Sequence, residues 1–274
     1  MQTGNKSPAQ PSGVHESKGP ERPDASEATT EQVLAEVERR LAEKQRASNQ
    51  GQSRVILLAD RAVYWLSKHW LSVFNTFILL YVGLPVLAPV LMFLGAEWPA
   101  TVIYTIYRPL CHQLPQRSFF LFGPQLTYSA VELMERADMH VGLDLATRAF
   151  VGNETLGYKM ALCQRDISIY GAMLFFGLLY GVLRRWWKVP PLPWWGYIGL
   201  GVVPLLLDGG YQFLSYILPL IWPDGPIMPF ETTPARRVIT GSLFGLATVW
   251  LAYPAVQETM EEAQETLRRK YGWE

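Results

Sequence analysis

Polar and apolar positions separate along the chain into two unlike stretches. Residues 1–53 are rich in Ser, Glu, Gln, Pro and Lys and hold no Phe, Tyr or Trp. Such a stretch cannot bury enough apolar surface to offset the entropy of ordering, which predicts a disordered tail. Within it, Thr29 and Gln32 have the spacing of a capping box. Leu34, Val37 and Leu41 then recur at helical spacing through 31–46, predicting one short charged helix. Over 54–70, Val55, Leu58, Ala62 and Trp65 share one side while Arg54, Arg61 and Lys68 lie elsewhere. That is the pattern of an amphipathic helix lying on a membrane surface.

Beyond it the apolar runs lengthen. Residues 71–95 carry no ionisable side chain and are long enough to cross a hydrocarbon core, with Pro85 and Pro89 predicting a kink. Residues 98–110 are too few to cross and read as a re-entrant or interfacial segment. Three further spans are predicted at 167–183, 195–216 and 238–256, the second of these three holding a single acid, Asp208. A charged stretch, 257–274, follows and reads as helical. The pattern predicts an all-α integral membrane protein of about four transmembrane helices, plus an interfacial helix and the re-entrant or interfacial segment. Its organisation would be a tail (1–53), a bundle (54–256) interrupted by a polar insert (127–161), and a second tail (257–274).

Composition changes this picture little. The 274 residues have net charge 0 and 49% hydrophobic content, averages that mix the two stretches; all ten Trp lie beyond residue 53. Balanced charge with no basic stripe argues against nucleic acid as a partner. The lipid bilayer is the expected surrounding, and a membrane-protein partner or a second copy of the chain stays open. The polar N-terminal stretch lacks the pattern of a cleavable signal, so insertion falls to an internal helix.

Basic residues predict the orientation. Arg184, Arg185 and Lys188 follow the second span without an acid, and Arg268, Arg269 and Lys270 lie in the last tail. Both places are expected to be cytoplasmic, and an even number of spans puts the N-terminus there too, in a cell membrane. The connections 96–166 and 223–237 then face outward.

This orientation carries a prediction about chemistry. Cys111, His112, Gln113 and Arg117 follow the short segment after the first span. Cys163, Arg165 and Asp166 open the second; Arg236, Arg237 and Thr240 open the fourth. Asp208 lies roughly 20 Å along the third helix, in its outer half, with Gln212 one turn further on the same face. Four segments are expected to bring polar groups to one depth. A carboxylate in a span is costly when it faces lipid, so Asp208 should face the interior with a partner such as Arg236 or Arg237. Such a pair could equally lock helices together. Arg117, Arg165 and Arg236 could grip a phosphate or carboxylate, whereas Arg237 reads as reaching to lipid headgroups.

Only two cysteines occur, which excludes a disulfide-dense scaffold and a four-cysteine metal site. They leave a disulfide, two unlinked thiols, or a metal ion held together with His112 and Asp208. Of the remaining histidines, His15 lies in the tail, His69 reads as interfacial and His140 lies in the polar insert, whose Glu132, Glu135, Asp138 and Asp144 read as solvated. Asn153-Glu154-Thr155 matches a glycosylation acceptor, a pattern that also arises by chance.

The run Cys111-His112-Gln113-Leu114-Pro115-Gln116-Arg117-Ser118-Phe119-Phe120 resembles the signature of the predicted membrane proteins of domain-of-unknown-function family 2085. The order of three shorter elements is similar to that family too: Cys163-Gln164-Arg165, Asp208-Gly209 with Gln212, and Arg237 with Thr240-Gly241. The resemblance covers about 71–256, with the insert 127–161 separating its first two elements. It implies a prokaryotic multi-helix membrane protein and no particular reaction.

Three classes of function follow. In the first, a membrane enzyme, Cys111, His112, Cys163 and Asp208 perform thiol or metal chemistry. Gln113, Arg117, Arg165, Gln212 and Arg236 then hold a small or lipid-linked anionic substrate. The second is a non-catalytic subunit or assembly factor whose polar groups fix helix packing. The third is a small-solute or proton pathway through Asp208, the least suited to four spans without an inverted repeat.

Overall fold

A computed structural model describes residues 25–138, 141–142, 144–222, 225 and 230–273, with side chains described from residue 30 except at 47–52. Of the tail expected to be disordered over 1–53, residues 1–24 lie outside the described residues, as do the side chain of Thr29 and His140, while 25–53 are helical. The chain divides into two units, Met1–Asp60 and Arg61–Glu274.

Helix α1 (Ala25–Phe93) begins in the first unit. There Arg39 and Arg40 pair with Glu36 one turn away, and Val33, Leu34, Val37 and Leu41 are exposed. Exposed pairs of this kind contribute little, so the helix owes its form to propensity. The charged helix, the amphipathic stretch and the first span, three separate expectations, fall within one helix because no proline interrupts it before Pro85.

The second unit is an all-α membrane bundle. Among the described residues, four helical stretches are long and apolar enough to cross a membrane: Ser53–Phe93, Gln164–Leu183, Trp194–Ile221 and Pro234–Tyr271. They present Phe77, Leu80, Phe175, Leu178, Leu207 and Ile239 outward, as lipid contact requires. Helix α2 (Glu97–Tyr107) is the short segment after the first span. Its buried Ala100, Ile103, Tyr104 and Tyr107 pack with Ala88 of α1 and with Cys111, Ala161 and Leu162. The second span, α5 (Gln164–Leu183), packs most extensively on the fourth, α7 (Pro234–Tyr271). Gly241 and Gly245, four residues apart on α7, allow this. A Cβ on Gly245 would meet the Ile169 carbonyl oxygen at 2.4 Å, and one on Gly241 the Arg165 oxygen at 2.9 Å. The third span, α6 (Trp194–Ile221), widens into π-helical turns at Ile198–Val202 and Leu206–Gly210, the second holding Asp208.

The polar insert is more ordered than its composition suggests. Helices α3 (Ala130–Ala137) and α4 (Leu145–Ala149) are capped by Ser129 and Asp144. Three antiparallel strands, β1 (Ser118–Leu121), β2 (Gly152–Asn153) and β3 (Gly157–Cys163), pair in the order β1-β3-β2. Gly157, at φ +80, turns the β2–β3 hairpin where a Cβ would lie 2.3 Å from the Leu121 oxygen. Asn153 closes the same turn, its Oδ1 accepting from the amides of Thr155 and Leu156. The sheet matters to the site because its register sets Ser118 opposite Cys163.

Candidate functional site

The start of α5 organises the site. Cys163 is its N-cap residue and Gln164, Arg165 and Asp166 follow. At about 100° per residue these side chains leave the helix in different directions, while Cys163 and Asp166, three apart, share a face.

That face meets Cys111. The Cys163 amide donates to Cys111 Sγ at 3.3 Å, and Cys163 Sγ donates to Asp166 Oδ2 at 3.1 Å. Both cysteines are unlinked thiols. The two sulfurs and a carboxylate oxygen of Asp166 all lie within 4.8 Å of one another. A hydrogen bond from Cys163 holds the Cys111 thiol below its ordinary pKa, and the same contact together with burial pushes Cys163 well above it. Cys111 itself is buried, whereas Cys163 and Asp166 are partly open.

The loop carrying Cys111 is fixed from beneath. Gln113 takes a left-handed conformation, φ 51, and is buried, its Nε2 donating to the Tyr104 carbonyl at 2.9 Å. The Gln113 carbonyl accepts from Nζ of Lys159 at 2.5 Å, and the same ammonium donates to the Arg148 carbonyl at 2.9 Å. Lys159 is fully buried on β3, and burial lowers its pKa to about 7. His112 is not drawn in: its side chain is exposed and its carbonyl accepts from Arg148. The alternative that joined it with the cysteines and Asp208 around a metal ion differs from the grouping found among the described residues, which is Cys111, Cys163 and Asp166.

Gln164 and Arg165 lead to a second network, centred on Glu231. Glu231 accepts from Arg117 Nη2 at 2.5 Å, Gln212 Nε2 at 2.6 Å and Tyr216 Oη at 2.8 Å, and it pairs with Arg237. Arg237 also donates to Gln164 Oε1 at 3.1 Å and Thr232 Oγ1 at 2.9 Å, and only 3% of it is exposed. The expectation that Arg237 reaches to headgroups is thus overturned: its polar partners are inside the bundle. Asp208 pairs with Arg165 at 2.6 Å rather than with Arg236 or Arg237, because Gly209 lets that guanidinium lie against α6. Arg236 points to a side cavity of about 390 Å3, lined also by Asp208, Tyr211, Phe230, Thr232 and Thr240. It makes no ion pair among the described residues.

The four segments expected to converge therefore do so, but as two adjoining groups. Cys111, Cys163 and Asp166 form one. Arg117, Gln212, Arg237 and Glu231 form the other, and Arg165 and Asp208 make a separate pair. Sequence reasoning missed Glu231 and Lys159: neither lies in a span, where a charge would have drawn notice.

Residues 147–251 match the family model described as predicted membrane protein (DUF2085). The resemblance read in the sequence is met over that stretch, which includes Cys163, Arg165, Asp208, Gln212 and Arg237, while the Cys111–Arg117 run precedes it. An uncharacterized protein of Methanocaldococcus jannaschii is 24% identical over 196 residues, spanning 69% of this chain and 93% of that relative. No solved structure matches significantly. The protein is a multi-pass membrane protein, and it resides in a lipid bilayer.

Proposed function

We propose that the protein is a membrane enzyme whose reaction centre is the Cys111–Cys163–Asp166 group. The observation that carries this reading is the meeting of two unlinked thiols, 52 residues apart in sequence, with a carboxylate beside them. Buried structural cysteines ordinarily pack against apolar neighbours and are inert. Here Cys111 Sγ accepts an amide hydrogen bond and its thiol is the more acidic of the pair, which favours the reactive thiolate. The Glu231 network and the Arg165–Asp208 pair serve the scaffold, because their charged side chains are already engaged with one another. An anionic group of the substrate is held by Arg236 in the side cavity.

The centre faces the extracytoplasmic side and both termini are cytoplasmic. Support comes from Arg184, Arg185, Lys188 and Arg268–Lys270 at the opposite end of the bundle, where Arg184 and Trp70 both donate to Gln257.

A second reading, a non-catalytic subunit, draws on the internal pairing of charges around Glu231 and Asp208. The two separate by complementation of a deletion strain, scored by its whole-cell lipid and metabolite profile. Wild-type chain should restore the profile, and Cys111→Ser, present at equal amount and folded, should not. Restoration by Cys111→Ser would leave the subunit reading in possession.

A further inference from the structure

We propose that Cys111, Cys163 and Asp166 bind a single zinc ion through both sulfurs and one carboxylate oxygen. A fourth position is left to water or substrate. The inference rests on the reading of this group as a reaction centre, and it can fail independently of it.

The donor set selects the metal class. Two thiolates with one carboxylate suit a borderline-soft ion such as zinc, whereas magnesium and calcium take oxygen ligands throughout. The separation suits it as well. Ligand atoms at about 2.0–2.3 Å from a tetrahedral zinc lie roughly 3.3–3.8 Å from one another. The Cys163 Sγ–Asp166 Oδ2 contact is 3.1 Å, and no pair of the three exceeds 4.8 Å. Closing the set around an ion brings its widest separation, at most 4.8 Å, into that range.

The backbone around it is already held. Cys163 and Asp166 are fixed by the first turn of α5, and the Cys111 loop by the Lys159 and Gln113 hydrogen bonds. The Cys163 amide donating to Cys111 Sγ is the kind of outer contact that orients a metal thiolate. Binding displaces two thiol protons, so the local charge of the group falls by two as the ion brings two. Three protein ligands, rather than four, mark a catalytic rather than a purely structural zinc site, and the partial exposure of Cys163 and Asp166 gives a route in.

The test uses the full chain purified in detergent, with metal content measured directly and Co2+ as the spectroscopic probe. Wild type should hold one zinc per chain, and cobalt should give thiolate charge-transfer absorption at one equivalent. Cys111→Ser and Cys163→Ser should each abolish that absorption. Asp166→Asn should keep it while weakening binding at least tenfold. If a serine variant fails to fold, the wild type still decides: bound zinc should protect both thiols from alkylation, and removing it with a chelator should expose them. A metal-free wild type that takes up no cobalt, whether as two free thiols or a disulfide, overturns the proposal. So does a cobalt spectrum without thiolate bands. In that event the enzyme reading still stands if Cys111→Ser fails to complement, and a zinc-bound chain whose Cys111→Ser complements gives the converse.

Discussion

At the scale of single residues, the charges divide by how they are balanced. Glu231 accepts from two guanidiniums, an amide and a phenol, and it compensates Arg237 inside the bundle. Replacing it with glutamine strands that buried cation, at a cost of about 3–5 kcal/mol. Asp208 was legible in the sequence because one carboxylate in an apolar run stands out. Glu231 was not, because it sits in a loop where acids are ordinary, and no spacing rule links it to Arg117, 114 residues away. Lys159 was hidden because it stands in a polar insert, where a lysine is ordinary. Its ordinary pKa of 10.5 drops to about 7 on burial, so between these values the unfolded chain keeps a proton that the folded chain gives up. Stability should therefore rise as pH climbs from about 7 toward 10.5, with no Lys159 contribution to the slope below 7. Unfolding temperatures across that range check this: Lys159→Met should flatten the rise, and an unchanged slope in the variant would refute the assignment.

At the scale of elements, the four spans were legible because length and the absence of charge decide them. Their close packing was legible in principle, since Gly241 and Gly245 stand four apart within the fourth span, but it needs a partner helix to acquire meaning. Gly245→Val should separate α5 from α7 and cost about 1–3 kcal/mol by overpacking. Thermal unfolding in detergent reads this, and a variant as stable as wild type would mean that the helices part without penalty. The sheet of the insert was not legible. β3 is buried along nearly its whole length, so it shows no alternation, and it contains a lysine that reads as solvated. Yet that strand brings Cys163 to Cys111. The order of the short sequence elements hinted at their meeting, and the register of β1 with β3 explains it.

At the scale of the molecule, the two ends of the bundle differ in character. One carries the sheet, the thiols and the Glu231 network; the other carries Arg184, Arg185, Lys188 and the aromatic residues Trp186 and Trp187. The proposed orientation is tested by single cysteines in a chain whose native pair is replaced by serine. Leu145→Cys, on the exposed surface of the insert, should react with an impermeant maleimide in intact cells, and Trp187→Cys only after permeabilisation. The reverse pattern would put the thiol centre in the cytoplasm. The central claim is that the cysteine–aspartate group does chemistry while the Glu231 network holds the bundle together. The unfolding temperatures of Cys111→Ser and Glu231→Gln, each stripped of metal with a chelator and compared with wild type treated in the same way, test it most directly. Cys111→Ser should then melt close to wild type, while Glu231→Gln melts several degrees lower. A metal-free Cys111→Ser chain that melts as early as Glu231→Gln would make the thiols part of the packing and overturn that division of roles.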